Sequence, residues 1–459
     1  MENKVGSWAS FRILFKSAII GALTLLLLIP TRLIQELVSE RQQRQQNAVS
    51  EVDSHWAGPQ TITGPVIGIP YFDSIADNGA KQTVKRWAYF LPDRLNIQTR
   101  LVPGKRYRGI YQVVVYVAEM DLRGSFNGLH LQELGLSAAD MLWKEATVFF
   151  DLSNVQGLNE DLVIHWNSPD AAGAGNPSGA SNASGDLTLM AAKISTDQFK
   201  SPLTAPLPAW IASAEEQNNP IKNLEFSSTI RVKGSGDLLF VPVGRETTIS
   251  ASSSWSDPSF TGTVLPDLRT VKDSGFIADW KVLALHGKFP QQWKKDEYNL
   301  NSAAFGVDLV IPVDVYQQTT RSVKYAILVI VLTFTAFLLM EWVYDLAIHA
   351  IQYVLVGFAL CVFYTLLLSL AEYLGFDRAY MIAAVATIGL ISWYVGSMLR
   401  SPKTALFIAL ILAVQYGFIF ILIQSQDYAL LMGSIGLFII LALVMYFSRK
   451  IKWEKIPTT

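Results

Sequence analysis

The chain has 459 residues, a formal net charge of −1 and 16% charged residues, so it is long enough for several folding units. It lacks the basic excess that a nucleic-acid partner requires. Its one cysteine, Cys361, excludes an intramolecular disulfide and the cysteine-rich zinc and redox motifs. Charged residues crowd the middle of the chain and are scarce near both ends, a pattern typical of a membrane protein with one large polar domain.

An apolar run near the N-terminus is predicted to be the first membrane span. Residues 17–31 carry no charge, residues 13–15 extend the run, and Lys16 can reach the interface with its long side chain. A cleaved signal peptide is the alternative interpretation. No small-x-small cleavage site follows the run, so residues 1–32 are assigned to a cytoplasmic tail and an uncleaved signal anchor.

Residues 33–323 are predicted to form a large β-rich domain outside the cytoplasm. The domain opens with an amphipathic helix over about 33–52. Beyond Gly58-Pro59 the pattern changes to short strands separated by Gly and Pro residues. The main strand candidates are 107–120, 147–152, 162–166, 224–232, 238–243, 247–255 and 306–315.

A segment rich in Gly, Ala and Ser divides this domain. Residues 171–185 contain no large apolar side chain and are predicted to be a flexible loop. Three short motifs recur in the same order on its two sides, which raises the hypothesis of two tandem β-sandwich-like halves. The alternative is one continuous β-sandwich with a surface loop. The motifs are Ile69-Pro70 and Val241-Pro242, Leu91-Pro92-Asp93 and Leu265-Pro266-Asp267, and Gly109-Ile110-Tyr111 and Gly275-Phe276-Ile277.

Five further apolar runs between residues 324 and 459 predict a membrane helix bundle. Each is long enough for a hydrocarbon core of about 30 Å, the first only marginally, and Tyr and Trp residues cluster near their ends. With the anchor they give six spans, one before and five after the β-rich domain. Their approximate limits are 324–340, 346–370, 379–399, 404–426 and 428–447.

Lys and Arg residues in short loops predict that both termini are cytoplasmic. Arg400 and Lys403 mark the loop between the fourth and fifth spans, and the tail after Phe447 is also basic. Lys4 and Arg12 agree at the N-terminus. The loop 341–349 has no Lys or Arg, so only the number of spans assigns it to the cytoplasm.

The chain contains no recognisable catalytic motif, and no catalytic residue, cofactor or metal is assigned. The most pointed polar cluster is Glu341, Asp345 and His349, which would share one face of a continuous helix. Metal or proton ligands could converge there, whereas the alternative is a polar turn at the cytoplasmic surface. Glu372, near the outer end of the third span, has the same two interpretations, and an interfacial position is favoured.

Ten short stretches along the chain, taken together, are specific enough to indicate a protein family. They are Gly64 to Pro70, Phe90 to Asp93, Arg106 to Tyr111, Trp255 to Phe260, Lys324 to Leu328, His349 to Tyr353, Leu355 to Gly357, Phe363-Tyr364, Leu366 to Glu372 and Gly375-Phe376. The chain resembles the CreD family of bacterial inner-membrane proteins over nearly its whole length, apart from the low-complexity segment. Two departures are Asp257-Pro258 where the family tends to have His-Pro, and Ala350 where it has Pro. The first departure weakens any proposal that a histidine in that motif is catalytic. The second predicts a more helical turn before the third span.

The resemblance implies an inner-membrane protein tied to envelope integrity and to the Cre two-component stress response, with no settled reaction. The leading hypothesis is a non-enzymatic protein held in membrane lipid, whose periplasmic domain binds an unknown envelope partner; an oligomer is compatible with the sequence. The alternatives are a transporter or channel component and a membrane enzyme acting on lipid or cell-wall precursors. A groove on the β-rich domain favours binding, a polar path through the helices favours transport, and a cavity open to lipid favours an enzyme.

Overall fold

The chain divides into two compact units. The computed structural model describes residues 3–77, 80–168, 183–191, 199, 202–216, 223–295, 297–309, 315–344, 348–425 and 428–448. One unit comprises Met1–Gln46 and Val313–Thr459, and we call it the helical unit. The other comprises Asn47–Pro312, and we call it the β unit.

Nine α-helices are present in the described residues. They are α1 (Asn3–Leu26), α2 (Leu28–Trp56), α3 (Ala209–Glu216), α4 (Val315–Lys324), α5 (Ala326–Tyr344), α6 (Ala350–Leu374), α7 (Phe376–Leu399), α8 (Pro402–Gln424) and α9 (Ala429–Ser448). Only α3 and the end of α2 belong to the β unit.

Four of the described helices are long and apolar enough to cross a membrane. They are the nearly continuous helix Phe15–Trp56 formed by α1 and α2, and α6, α7 and α8. Helices α4 and α5 pass the same test as a pair, with a bend of 41° between them. The apolar part of α9, Leu430–Leu443, rises only about 21 Å, short of a hydrocarbon core of about 30 Å. Four or five spans are therefore supported, and the predicted six are not confirmed.

The N-terminal helix has one buried face. Leu27, Thr31, Ile34, Val38 and Ala48 are buried at spacings close to multiples of three and four residues. This spacing places them along one side of a helix, where they pack while the Gln and Arg side chains between them meet solvent. The amphipathic helix predicted over about 33–52 thus lies within α2.

A glycine allows close packing against this helix. A Cβ atom on Gly357 of α6 would lie 2.3 Å from Leu27 Cδ1 and 3.1 Å from Phe334 Cζ. Real carbon atoms do not approach so closely, so a larger residue would require the Leu27 side chain to move. Small residues at such crossings let membrane helices pack by van der Waals contact, which replaces the hydrophobic effect inside lipid.

Sixteen strands in the described residues build the β unit. They are β1 (Gln60–Asp77), β2 (Ala80–Phe90), β3 (Arg94–Arg108), β4 (Tyr111–Phe126), β5 (Thr147–Leu152), β6 (Leu162–Ser168), β7 (Ala183–Ala191), β8 (Pro202–Pro206), β9 (Leu224–Ser235), β10 (Asp237–Phe240), β11 (Glu246–Ser253), β12 (Pro258–Gly262), β13 (Leu268–Lys272), β14 (Gly275–Leu283), β15 (Gln292–Lys294) and β16 (Phe305–Leu309). They form one hydrogen-bonded sheet in the order β12-β16-β10-β1-β5-β8-β7-β6-β9-β4-β3-β11-β14-β13, and β2 with β15 joins at β1. The two end strands of this near-barrel sheet, β12 and β13, are consecutive in the chain.

Aromatic side chains fill the interior of the β unit. Phe149 stacks on Phe199 with ring centres 5.1 Å apart, and Tyr89 lies 5.5 Å from Trp293. All four side chains are buried. Each buried aromatic stabilises the fold by about 2–3 kcal/mol through its removal from water.

Strand β3 shows how the sequence assigns its two faces. Leu95, Ile97 and Leu101 are buried, whereas Asn96 and Gln98 between them are exposed. Successive side chains of a strand point to opposite faces, so this alternation turns the apolar face to the core. The opposite face stays polar.

The predicted tandem halves are not confirmed. Strands from both sides of the segment 171–185 pair with each other: β1 with β10 and β3 with β11 in parallel, and β4 with β9 antiparallel. The structure shows a different repeated motif. Phe90-Leu91-Pro92 and Phe240-Val241-Pro242 end β2 and β10 and precede the parallel strands β3 and β11. Residues 171–182 of the predicted loop lie outside the described residues, and residues 183–185 open β7.

Two predicted strand boundaries are wrong. The candidate 107–120 crosses a hairpin, because β3 ends at Arg108 and β4 begins at Tyr111. Gly109 has φ +61°, a left-handed conformation that favours glycine and closes the two-residue turn. The candidate 306–315 also runs too far, since β16 ends at Leu309 and Val315 opens α4.

Candidate functional site

The helical face predicted for Glu341, Asp345 and His349 does not extend over all three positions. Glu341 lies in α5, but His349 has extended dihedral angles and caps the N-terminus of α6. The His349 Nδ1 atom accepts a hydrogen bond from the backbone N–H of Ile351 at 3.4 Å. The backbone N–H of His349 donates a hydrogen bond to Gln352 Oε1 at 2.8 Å. The prediction of a more helical turn before the third span is therefore wrong at His349. Asp345 lies outside the described residues.

Glu341 is buried and has two partners from distant parts of the chain. It is 8% exposed, although the sequence alone also allowed a solvated turn. Lys16 of α1 donates to Glu341 Oε1 and to the carbonyl oxygen of Ile348, the latter at 2.7 Å. The hydroxyl of Tyr353 donates to Glu341 Oε2 at 3.1 Å. We call Lys16, Glu341 and Tyr353 the Glu341 cluster.

Glu372 has an equivalent set of partners. The hydroxyl of Tyr316 in α4 donates to Glu372 Oε1 at 3.0 Å. The guanidinium of Arg41 in α2 lies 3.9 Å from the same oxygen, and the Glu372 side chain is 8% exposed. We call Arg41, Tyr316 and Glu372 the Glu372 cluster. In both clusters a buried carboxylate meets one tyrosine hydroxyl and one cation of the N-terminal helix.

The two clusters lie near opposite ends of α6. Tyr353 and Glu372 are 19 residues apart on that helix, a rise of about 28 Å that is close to the thickness of a hydrocarbon core. Lys16 and Arg41 are 25 residues apart on the N-terminal helix, a rise of about 37 Å. The N-terminal helix is thus held to the rest of the helical unit at two levels.

Neutral groups occupy the level between these clusters. Gln415 of α8 donates to the carbonyl oxygen of Val329 at 2.8 Å, and Thr333 donates to Gln415 Oε1 at 3.3 Å. The Tyr380 hydroxyl donates to the carbonyl oxygen of Tyr416 at 2.8 Å. These bonds satisfy polar groups between helices without adding charge. Among the described residues, no three His, Cys, Asp or Glu side chains are arranged to hold a metal ion.

The β unit presents a broad polar face. Four adjacent clefts with volumes of about 430 to 660 Å³ lie along the outward sides of β6, β9, β4, β3, β11 and β14. Alternation in these strands turns Asn, Gln, Ser, Thr and charged side chains outward, and we call this surface the polar face. Its central side chains are Asn96, Gln98, Asp121, Thr229, Thr248 and Ser250.

Side chains on the polar face neutralise one another. Arg231 pairs with Glu119 at 2.9 Å, and Asn96 donates to Thr248 Oγ1 at 2.9 Å. Lys281 pairs with Glu246 at 2.8 Å. This hydrogen bond, together with the positive charge of Lys281, lowers the pKa of the Glu246 carboxyl. The face therefore offers many hydrogen-bonding groups and little net charge.

A like-charge pair lies elsewhere in the β unit. Asp237 of β10 and Asp308 of β16 are directly opposite each other in the sheet. Burial, and then the charge of Asp237, raise the pKa of Asp308 to about 6. Burial also raises the pKa of Asp237. Sequence patterns missed this pair because the two residues are 71 positions apart and only the strand pairing joins them.

The sequence also missed the partners of Glu341 and Glu372. A usable signal existed for the first pair, since Lys16 interrupts one apolar run and Glu341 ends another on the same predicted side. No such signal marks Arg41, which is one of several polar residues in a Gln- and Arg-rich stretch.

Comparison with known proteins covers nearly the whole chain. The family described as inner membrane protein CreD matches residues 12–454. The chain is also 30% identical over 443 residues to the inner membrane protein CreD of Escherichia coli K12, over 95% of this chain and 92% of that one. Together with the apolar helices, these matches support a multi-pass location in the inner membrane. The resemblance carried by the ten short stretches is confirmed: the chain belongs to the CreD family of inner membrane proteins.

Proposed function

We propose that this protein is a non-enzymatic inner-membrane protein that supports envelope integrity or the envelope-stress response, with a periplasmic β unit that binds an envelope partner. The observation that carries the proposal is the polar face. Its four adjacent clefts follow one side of a single sheet and form a long surface rather than an enclosed pocket. A surface of this kind suits an extended ligand.

The chemistry of the polar face favours a ligand with many hydroxyl and amide groups. Its Ser, Thr, Asn and Gln side chains both donate and accept hydrogen bonds. Two of its cations pair internally, Arg231 with Glu119 and Lys281 with Glu246, and the face has little net charge, so it does not select a strongly charged ligand. Envelope glycans and extended peptides both offer such groups.

The N-terminal helix supports the anchoring part of this proposal. Within the helical unit, Lys16 and Arg41 on this helix pair with Glu341 and Glu372. Within the β unit, its residue Glu51 pairs with Arg108 at 2.5 Å. One nearly continuous helix of 42 residues therefore makes ionic contacts in both units.

The binding proposal is tested by blocking the polar face. Gln98→Trp places a large ring among the clefts, whereas Gln132→Trp places the same ring on an exposed turn away from the face. In cells that lack the native protein and express each variant at equal level, we expect Gln98→Trp to lose protection against a cell-wall inhibitor or detergent. Gln132→Trp should protect as the parent does. Full protection by Gln98→Trp would contradict the proposal.

A transport function is the second candidate, because buried ionisable groups in membrane helices are often functional. The Glu341 cluster is the observation that favours it. Glu341→Gln keeps the size of the side chain and removes its charge. If the protein transports an ion or proton, this variant abolishes a flux that the parent shows in proteoliposomes. If the cluster anchors the helix, parent and variant show equal flux and differ only in stability.

The six-span topology with cytoplasmic termini is part of the proposal. Arg400, Lys403 and the basic C-terminal tail support it through the distribution of positive charge. A reporter fused after Thr459 should be active in the cytoplasm, and one inserted near Gly179 should be active in the periplasm. Periplasmic activity of the C-terminal fusion would overturn the topology.

A further inference from the structure

The turn of the β3–β4 hairpin carries a concentrated basic and aromatic surface. Lys105, Arg106 and Arg108 are exposed next to Tyr107, which is 67% exposed, and Ile110, which is 40% exposed. We call residues 105–111 the basic hairpin. Strand β11 pairs with β3 only as far as Leu101, so this stretch of β3 lies beyond that pairing.

Aromatic rings hold the cations of this surface in place without neutralising them. Arg106 lies 4.7 Å from the centre of the Trp56 ring, and Lys233 lies 5.3 Å from the same ring. Lys105 lies 5.6 Å from the centre of the Trp255 ring. A cation over an aromatic face keeps its full charge and stays available to an anion.

The nearby acidic groups leave an excess of positive charge. Glu51 forms two hydrogen bonds with Arg108, at 2.9 and 2.5 Å. Asp53 accepts a hydrogen bond from Ser235. The three cations of the hairpin itself, Lys105, Arg106 and Arg108, against the one carboxylate paired with them, Glu51, give a formal charge of 3 − 1 = +2.

The basic hairpin points along the part of α2 that enters the β unit. Arg106 lies against Trp56, and Arg108, nearer the turn, pairs with Glu51. Moving toward the turn therefore means moving toward the N-terminal side of α2. Within the β unit that is the side on which the chain arrives from Gln46.

We propose that the basic hairpin docks on the headgroups of anionic phospholipids. Lys and Arg attract an anionic lipid surface, and an exposed Tyr beside an aliphatic residue suits the boundary between headgroups and acyl chains. A partner peptide adding to the β3 edge fits less well, because charged side chains on an edge oppose strand pairing. The proposal does not depend on what the polar face binds.

The test uses the full-length protein in lipid nanodiscs. Tyr107→Cys in a Cys361→Ala background carries a fluorophore, and lipids with a nitroxide on the headgroup act as the quencher. We expect stronger quenching when the nanodiscs contain phosphatidylglycerol than when they contain phosphatidylcholine alone. High salt should remove the difference, because it screens exposed charges.

Three variants in this labelled background separate docking from folding. Lys105→Gln with Arg106→Gln should lower the ratio of docked to undocked hairpin by about 25-fold, about five-fold for each cation removed. Ile110→Glu keeps all three cations of the hairpin and their aromatic contacts and should also weaken quenching. The control Arg269→Gln with Lys272→Gln removes two exposed cations of β13 and should change nothing. Equal quenching in both lipid compositions, or an equal loss in the control, would overturn the proposal and leave the surface to a protein partner.

Discussion

Glu341 and Glu372 in the helical unit and Asp308 in the β unit have opposite electrostatic surroundings. In the helical unit, Glu341 and Glu372 each meet a cation and a tyrosine hydroxyl. In the β unit, half-buried Asp308 faces a second carboxylate, that of Asp237. The first arrangement supplies an opposite charge and a hydrogen-bond donor, whereas the second places two like charges opposite each other and favours protonation of Asp308.

The two arrangements differ because a carboxylate among apolar helices has little access to water, whereas a half-buried carboxylate in the β unit has more. An uncompensated charge among apolar helices is costly, so a carboxylate there requires a partner of opposite sign. A half-buried group at the edge of water can instead bind a proton, and the raised pKa of Asp308 reflects this. Neutralising Glu341 or Glu372 should therefore destabilise the helical unit, whereas neutralising Asp308 should stabilise the β unit.

The largest expected effect comes from Glu341→Ala. It removes the counter-charge of Lys16, whose side chain is only 29% exposed. We expect the free energy of unfolding in detergent to fall by about 3 kcal/mol. The double variant Lys16→Met with Glu341→Met should recover most of this loss in thermal unfolding. A double variant as unstable as Glu341→Ala would show that the ion pair is not what matters.

Glu372→Ala should cost less, about 1.5 kcal/mol, because Arg41 is 3.9 Å away and 38% exposed. Most of the loss belongs to the hydrogen bond from Tyr316. Tyr316→Phe should therefore reproduce more of the effect than Arg41→Gln in the same unfolding experiment. The reverse order would mean that the ionic contact dominates.

Asp308→Asn should stabilise the β unit at neutral pH by about 1 kcal/mol, a value reduced because the group is partly exposed. The folded state raises the pKa of Asp308 from 3.8 to about 6, so it binds the proton more tightly than the unfolded chain does. The free energy of unfolding therefore falls as pH rises from about 4 to about 6. The variant should flatten this slope in urea unfolding, and an unchanged slope would contradict the assignment.

His349→Gln should have the smallest effect, about 0.5 kcal/mol, because the exposed ring only caps α6. Thermal unfolding of the two single variants and of Glu341→Ala with His349→Gln measures any coupling. Additive effects are expected, since the structure does not bring the two side chains onto one helix face. Strong non-additivity would restore the shared site that the sequence spacing predicted.

Local patterns in the sequence predicted much of the fold but not its long-range pairings. Apolar runs identified the membrane helices, and alternation such as that of Leu95, Asn96 and Ile97 identified a strand with one buried face. Such patterns cannot specify which strands become neighbours. The parallel pairing of β1 with β10 joins residues about 180 positions apart, and no local signal encodes it.

The site could be predicted only in part for the same reason. The sequence singled out Glu341 and Glu372, which do form buried clusters. Their partners Lys16 and Arg41 lie more than 300 positions away, and nothing in the spacing links them. His349 was grouped with Glu341 because helical periodicity was assumed to continue, and the extended conformation at His349 ends it.

The length of the N-terminal helix has a consequence for its rotational phase. Each residue turns an α-helix by about 100°, so one residue inserted between Lys16 and Arg41 would turn one of these cations a quarter turn or more away from its carboxylate. Seven inserted residues would restore the original facing to within about 20° but would shift one cation by about 10 Å along the helix axis. The segment 17–40 therefore fixes both the angle and the height of the two cations, and an insertion of either length breaks one of the two ion pairs.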